Sequence, residues 1–233
     1  DTFRLSLDSE DINICTKRQL LSHVAQIFDP CGLVSFATTP GKLLVQQCFR
    51  ENLGWDDQLP EHIHARVEEW IGKLEFLNTI RIPRRISLLP DSNSVVTSRE
   101  LHLLSDASES LYAAVAYVRS LKPDGSIDVR MIASKTRLAP MKGMTVPRLE
   151  LCACLLAARL AMAVERELDI KFTARYFWCD SMAALGYIRN LTTRFAVFVG
   201  NRVSEIQTIT QIDDWHYVST EVNVADGLTR CYF

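Results

Sequence analysis

The sequence lacks any apolar run long enough to cross a bilayer, because polar or charged residues interrupt every stretch that approaches the roughly 18 residues a spanning helix needs. It also lacks a C-x-x-C pair, and its seven cysteines are scattered, odd in number and mostly set in apolar runs. These absences argue against a membrane-spanning chain, a disulfide framework and a thiolate zinc site. We therefore expect an intracellular protein with reduced thiols and no membrane partner.

The sequence also has no large excess of positive or negative charge. The chain has 26 Lys and Arg against 28 Asp and Glu, a formal net charge of −2, which excludes a protein that is basic along its whole length. Glycine and proline are sparse and 48% of residues are hydrophobic, which excludes a disordered or collagen-like chain. A polyanionic partner would therefore have to bind a local basic patch.

Helical periodicity dominates residues 1–85. Thr16 and Gln19 form a capping box ahead of an apolar helical face, and Thr39-Pro40 and Pro60 are typical starts of two further helices. Nothing in this region has the spacing of a catalytic or metal-binding motif. The stretch 86–99, which contains several Ser and Pro residues, predicts a linker to a second domain at 100–233.

The pattern in 100–233 is strand, strand, strand, helix, strand, helices and strand, which predicts an α/β fold. Asp124-Gly125 predicts a hairpin turn, Pro147 the first turn of a long helix ending near Glu167, and Thr192 the cap of a later helix. The expected strands are 101–105, 111–118, 129–134, 175–179 and 215–218.

Acidic residues interrupt four apolar segments of this second domain. Asp106 and Asp180 each end a predicted strand, Glu150 lies in a helix that is apolar almost all round, and Asp226 follows the last strand. Carboxylates gathered from separate elements repel one another unless a cation neutralises them, and all-oxygen ligands favour Mg²⁺ or Mn²⁺. Taken singly, each Asp could equally be a helix cap or a turn residue.

Motifs around these acids resemble a known family. The segments are Leu104–Ser108, Pro147–Leu151, Trp178–Ser181 and Asn223–Arg230, with Thr16–Ser35 and Ala133–Pro140 as further signatures. In this order they resemble the thumb or connection region and the ribonuclease H domain of a BEL/Pao-type long-terminal-repeat retrotransposon polyprotein. The resemblance covers nearly the whole chain.

This resemblance implies a ribonuclease H-like mixed five-stranded sheet with flanking helices, preceded by a small, mostly helical thumb- or connection-like region. It implies a two-metal endoribonuclease that cleaves the RNA strand of RNA–DNA hybrids with two Mg²⁺, or Mn²⁺ as substitute. Asp106 would contact both ions, Glu150 and Asp180 the ion near the leaving group, and Asp226 the ion that activates water. The chain has no Tyr-x-Asp-Asp polymerase motif. Its partners would be the hybrid and the palm and fingers of the reverse transcriptase, in the cytoplasm, a virus-like particle or the nucleus.

Five basic residues and no acid occur between Val129 and Leu149. We expect phosphate contacts from this stretch, although an ordinary solvated loop would have the same composition. Phe177 and Trp178 fit a buried strand better than a stacking platform. The expected substrate-binding residues are Ser108, Lys135, Arg137, Lys142, Arg148, Ser181 and Asn201.

The sequence departs from cellular ribonucleases H in one motif, because the loop before Asp226 carries no histidine; His216, inside the last predicted strand, fits a structural role. One alternative is a catalytically silent, retroelement-derived module that binds nucleic acid or protein, which the short stretch after Asp226 and the missing polymerase motif favour. An aspartic peptidase is disfavoured because no Asp-Thr/Ser-Gly turn is present. An integrase core is disfavoured because the usual preceding Cys/His zinc arrangement is missing.

Overall fold

A computed structural model describes residues 2–4, 13–83, 97–168 and 170–230. The described chain divides into two units: a helical unit (2–4, 13–30 and 34–83) and a sheet unit (31–33, 97–168 and 170–230). Most of the predicted linker, residues 86–96, lies outside the described residues. Residues 98 and 99 already belong to a strand of the sheet unit.

Three helices with one apolar face each build the helical unit. Its elements are β1 (Thr2–Arg4), α1 (Lys17–Gln26), α2 (Ser35–Arg50), α3 (Glu61–Leu74), a 3-10 turn (Glu75–Thr79) and β2 (Arg81–Pro83), with β1 and β2 antiparallel. The α1 capping box is present as predicted, and Pro60 caps α3. The Trp70 indole N–H donates to the Ala37 carbonyl at 2.8 Å inside the core.

The second helix begins earlier than its sequence signals predict. We expected it to start at Thr39-Pro40, but α2 starts at Ser35 and contains Pro40. Burial explains the difference: Val34 and Ala37, ahead of the proline, are 1% and 0% exposed. Packing of these residues outweighs the missing backbone N–H of one proline.

The sheet unit contains a mixed five-stranded sheet in the order β5-β4-β3-β6-β7. Strands β3, β4 and β5 are antiparallel neighbours, whereas β6 and β7 run parallel to β3. This is a ribonuclease H-like α/β fold, as the sequence predicted. The elements are β3 (Ser98–Ala107), β4 (Leu111–Leu121), β5 (Ile127–Leu138), α4 (Val146–Leu168), β6 (Ala174–Cys179), α5 (Met182–Arg189), α6 (Val197–Ile209), β7 (Trp215–Tyr217) and α7 (Asp226–Thr229).

Helix α4 covers one face of the sheet, with Leu149, Leu151 and Ala158 fully buried. The hairpin forms at Asp124-Gly125 as predicted, since Gly125 adopts a φ of 82° that favours glycine. Thr192 does not cap a helix: α6 starts at Val197, and the Asn190 side chain instead accepts the backbone N–H groups of Thr192 and Thr193. A turn closed by Asn190 therefore replaces the expected cap.

The two sheet faces differ in their aromatic residues. Phe177 is fully buried and stacks on Trp215 with ring centroids 4.6 Å apart, as expected of a core strand. Trp178 points the other way, is partly exposed and lies 5.1 Å from the His216 ring. His216 of β7 thus packs against the Tyr176 and Trp178 rings of β6, which agrees with a structural role.

Candidate active site

Parallel pairing brings the carboxyl ends of β3, β6 and β7 to one end of the sheet, where ligands collect in α/β folds. Asp106 lies at this end of β3 and is only 8% exposed. Burial, followed by the charges of Asp180 and Asp226, raises the pKa of the Asp106 carboxyl. Strand register agrees with this for Asp180, because Cys179, the residue before it, pairs with Ser105, the residue before Asp106.

Hydrogen bonds hold the two neighbouring aspartates. Asp180, directly after β6, accepts from the Thr220 hydroxyl at 2.8 Å. Asp226, the first residue of α7, pairs with the Arg230 guanidinium one turn later at 2.6 Å. The same turn of α7 donates the Thr229 hydroxyl to the Asp106 carboxylate. Helix α7 is therefore tied to two of the acids at once.

Ser181 connects Glu150 to the other acids. Its hydroxyl donates to the Glu150 carboxylate at 2.5 Å and accepts the Ala184 N–H at 3.1 Å, so it also caps α5. Because Ser181 directly follows Asp180, this bond places Glu150 beside the Asp180 backbone. Strand register and these hydrogen bonds thus place the elements that carry the four predicted acids at one end of the sheet.

A divalent cation suits the chemistry of this donor set, since it consists of carboxylate oxygens alone and one of them is buried beside two others. In the arrangement seen here, no three His, Cys, Asp or Glu side chains of the described chain are placed to hold a metal ion. Thr229, Arg230, Ser181 and Thr220 each engage one carboxylate instead. The donor set fits a cation chemically, and cation binding would have to displace these protein donors.

The expected substrate-binding residues do not form one group. Lys135, Arg137 and Asn201 line a common pocket on the helix-covered side of the sheet. Ser108 accepts the backbone N–H of Leu111 at 3.3 Å and so shapes the β3–β4 turn. Ser181 binds Glu150, as described above.

The remaining two basic candidates differ in their surroundings. The Arg148 guanidinium lies 5.3 Å from the centroid of the Phe198 ring. Lys142 is exposed in the loop ahead of α4. Neither residue lines the pocket that contains Lys135, Arg137 and Asn201.

Sequence reasoning missed the protein donors around the acids. Thr229 and Arg230 follow Asp226 at three and four residues, a spacing that places side chains on the same side of one helical turn. That spacing could have indicated the Asp226–Arg230 pair. Asn223, buried and donating to the Ser105 carbonyl at 3.1 Å, had no comparable signal because its partner is 118 residues away.

The six cysteines in the described part of the chain are free thiols, and four of them are buried. Of the helices in that part, none has the length and apolar character needed to span a membrane.

A family comparison matches residues 16–181 to the Pao retrotransposon-like RNaseH-like domain. The matched segment runs from the α1 cap to the residue after Asp180, so it includes Asp106 and Glu150 but not Asp226. A comparison with curated proteins gave no match.

Solved structures with similar folds include the N-terminal RNase H domain of Rv2228c from Mycobacterium tuberculosis, at 13% identity and a TM-score of 0.39, covering 57% of this chain and 92% of that one. LC11-RNase H1 in complex with an RNA/DNA hybrid is similar at 12% identity and a TM-score of 0.38, with coverages of 57% and 94%. Prototype foamy virus protease-reverse transcriptase is similar at 12% identity and a TM-score of 0.38, covering 89% of this chain. The present chain spans only 35% of that viral protein.

Proposed function

The chain belongs to the Pao retrotransposon-like RNaseH-like domain family, and from this premise we propose that its sheet unit is a metal-dependent endoribonuclease that cleaves the RNA strand of RNA–DNA hybrids. One observation carries the proposal: Asp106 is buried at the end of β3 beside Asp180 and Asp226, and Ser181 ties Glu150 to the same place. A helix cap or a surface acid would not need three further acids around it.

Asp106, Glu150, Asp180 and Asp226 are the residues that would hold a pair of Mg²⁺ ions, with Mn²⁺ as substitute. When bound, such a pair activates the attacking water and stabilises the leaving oxygen of a phosphodiester. Without bound metal, Thr229 and Arg230 stabilise the acids in the folded chain, because they bind carboxylates that would otherwise repel each other. Lys135, Arg137, Lys142, Arg148 and Asn201 are proposed to contact the substrate backbone.

Retroelement context suggests further partners for this activity. We propose that the hybrid is delivered by the palm and fingers of a reverse transcriptase, of which the helical unit would be the thumb- or connection-like part. The family match supports this context because it starts within the helical unit, at Thr16.

Cleavage of a labelled RNA strand in an RNA–DNA hybrid, with Mg²⁺ or Mn²⁺, tests the proposal. We expect Asp106→Asn to lower the cleavage rate by roughly a thousandfold, which corresponds to about 4 kcal/mol of transition-state stabilisation. Asp124→Asn is the matched control, because Asp124 lies in the exposed β4–β5 turn and should leave the rate unchanged. An RNA duplex and a DNA duplex of the same sequence are the control substrates.

A catalytically silent binding module is the second candidate. The observation that favours it is that Arg230, Thr229, Ser181 and Thr220 already occupy the four carboxylates. Hybrid binding by the wild type, without cleavage above the Asp106→Asn protein at any metal concentration, would replace the nuclease proposal with this one.

A further inference from the structure

A pocket of about 510 Å³ lies on the helix-covered side of the sheet, and none of the four acids lines it. Strands β4 and β5 contribute Tyr112, Lys135 and Arg137, and helices α4 and α6 contribute Arg159 and Arg202. We call this the basic pocket. Its remaining wall includes leucines of α4, so it combines cationic side chains with an apolar surface.

Positive charge in the basic pocket exceeds negative charge. Glu205 is the acidic residue on its wall, and Arg159 binds it in a bidentate pair, with N–O distances of 2.6 and 2.8 Å. Lys135 and Arg137 are exposed and form no ion pair with another described residue. The pocket therefore keeps unneutralised positive charge in a chain whose formal net charge is −2.

Arg202 of the basic pocket is held in place by Phe198, and Tyr112 lies among the pocket's basic side chains. The Arg202 guanidinium lies 3.5 Å from the centroid of the Phe198 ring and donates to the Phe198 carbonyl at 2.9 Å. Tyr112 is half-buried next to Arg137, Arg159 and Arg202, and burial raises the pKa of its phenol. Its hydroxyl therefore keeps a proton that can be donated to an anion at neutral pH.

Strand register relates the basic pocket to the acids. Tyr112 pairs with Ala107, the residue after Asp106, and Arg137 pairs with Tyr112 on the next strand. Neighbouring strands are about 4.8 Å apart, so the Arg137 backbone lies roughly 10 Å from β3 at the same end of the sheet. A polymer that reached Asp106 could thus reach the basic pocket with another of its groups.

We propose that the basic pocket binds the phosphate of a phosphate ester, a nucleotide or a nucleic-acid backbone, and that Glu205 is a built-in competitor that occupies Arg159 when the phosphate is absent. Guanidinium groups bind carboxylate and phosphate through the same bidentate geometry, so one can replace the other. The nucleic-acid source of the phosphate rests on the proposed function; the anion site itself rests on the pocket.

Binding measurements in EDTA, where cleavage cannot occur, test this inference. The probes are adenosine monophosphate and a short RNA–DNA hybrid, measured by titration calorimetry and fluorescence anisotropy. Glu205→Gln should tighten binding roughly two- to fivefold, because it removes the competitor from Arg159. Glu167→Gln is the matched control, since it breaks an exposed Arg–Glu pair of the same helix as Arg159 and changes the net charge equally.

The double variant Lys135→Gln/Arg137→Gln should weaken binding roughly tenfold at low salt and reduce the dependence of log K on log salt by about one. Both side chains are exposed, so the variant should keep the wild-type circular dichroism spectrum and melting temperature. If Glu205→Gln tightens the binding of both probes, the pocket accepts any phosphate ester. If it tightens the binding of the hybrid alone, the pocket is a site for the nucleic-acid backbone. Both outcomes support the proposal.

Unchanged or weaker binding by Glu205→Gln, with Glu167→Gln behaving identically, would overturn the proposal and make Arg159–Glu205 a structural ion pair. This result is independent of the nuclease test. If the variants bind as expected in EDTA but the wild type never cleaves, the proposal for the basic pocket stands and the proposed nuclease function fails. If the wild type cleaves but the variants bind like the wild type, the nuclease function stands and the proposal for the basic pocket fails.

Discussion

Asp106 is a buried carboxyl group whose ionisation opposes the fold. It combines 8% exposure with two acidic neighbours, so its charged form loses hydration and is repelled at the same time. The Thr229 hydroxyl offsets part of this penalty by donating to the carboxylate. Side chains placed for chemistry often destabilise the fold in this way, because function requires the charge to be held where folding alone would exclude it.

We predict that Asp106→Asn raises the melting temperature by a few degrees near pH 7. Because the pKa of Asp106 is raised in the fold, the folded chain binds its proton more tightly than the unfolded chain, and stability falls as pH rises through the folded-state pKa. The gain in melting temperature should vanish below about pH 4, where both states are protonated. Calorimetric scans across this pH range measure it.

Asp124→Asn controls for the general loss of one negative charge. Asp124 accepts the Ser126 hydroxyl at 2.7 Å and its backbone N–H at 2.9 Å, and these bonds lower the pKa of Asp124. Its ionised form therefore supports the fold, so this variant should melt at the same temperature or lower near neutral pH. Equal increases for both variants would refute the account of Asp106.

Cysteine reactivity should follow burial. A hydrogen bond with Cys179, together with complete burial, raises the pKa of the Cys154 thiol well above its usual value, whereas Cys31 is exposed. Since the thiolate is the reactive form, iodoacetamide should label Cys31 rapidly in the native protein and Cys154 only after unfolding. Peptide mass spectrometry with a denatured control measures this difference, and equal native labelling of both residues would contradict it.

At the scale of elements, the short segment between β7 and α7 decides where Asp226 lies. Asn223 in this segment is 3% exposed; it donates to the Ser105 carbonyl of β3 and accepts the Ala225 N–H. The first bond connects the loop to the strand that ends in Asp106, and the second closes the loop on itself. The position of α7, and with it Asp226, therefore depends on this buried amide together with the bond from Thr229 to Asp106.

We predict that Asn223→Ala destabilises the fold by about 1–3 kcal/mol, because it leaves buried polar groups without partners, and that it also slows hybrid cleavage. Asn190→Ala is the matched control: Asn190 also accepts backbone N–H groups of its own loop, but its bonds are exposed to water. It should change both measurements little. Urea denaturation and the cleavage assay distinguish the two variants, and a stable Asn223→Ala protein would show that α7 is held by other contacts.

Other elements follow local signals closely or fail for identifiable reasons. The Thr16–Gln19 capping box and the Asp124-Gly125 turn form where the sequence predicts them, since each signal satisfies backbone groups within four residues. The signals at Pro40 and Thr192 were misleading. At Pro40, burial of Val34 and Ala37 extends the helix; at Thr192, the neighbouring Asn190 takes the backbone N–H groups.

At the scale of the whole molecule, the candidate chemistry lies in the sheet unit. Asp106 and Asp180 lie at the carboxyl ends of neighbouring parallel strands, and the basic pocket lies two strands away on the helix-covered side. The helical unit also contains a buried charged residue, Lys17. Its Nζ lies 4.2 Å from the centroid of the Phe49 ring and 4.7 Å from that of the Trp55 ring. That contact stabilises packing, which agrees with the absence of any catalytic motif in residues 1–85.

The sequence by itself determined the order of the strands and helices of the sheet unit and the family, and it predicted the four acids, because periodicity, caps and motif spacing act within a few residues. Only the tertiary structure decided which groups meet those acids. Thr229 reaches Asp106 across 123 residues and Asn223 reaches Ser105 across 118. The basic pocket likewise joins residues from two strands and two helices. Such contacts depend on strand register and helix packing, and these are set by burial of the core rather than by any local pattern.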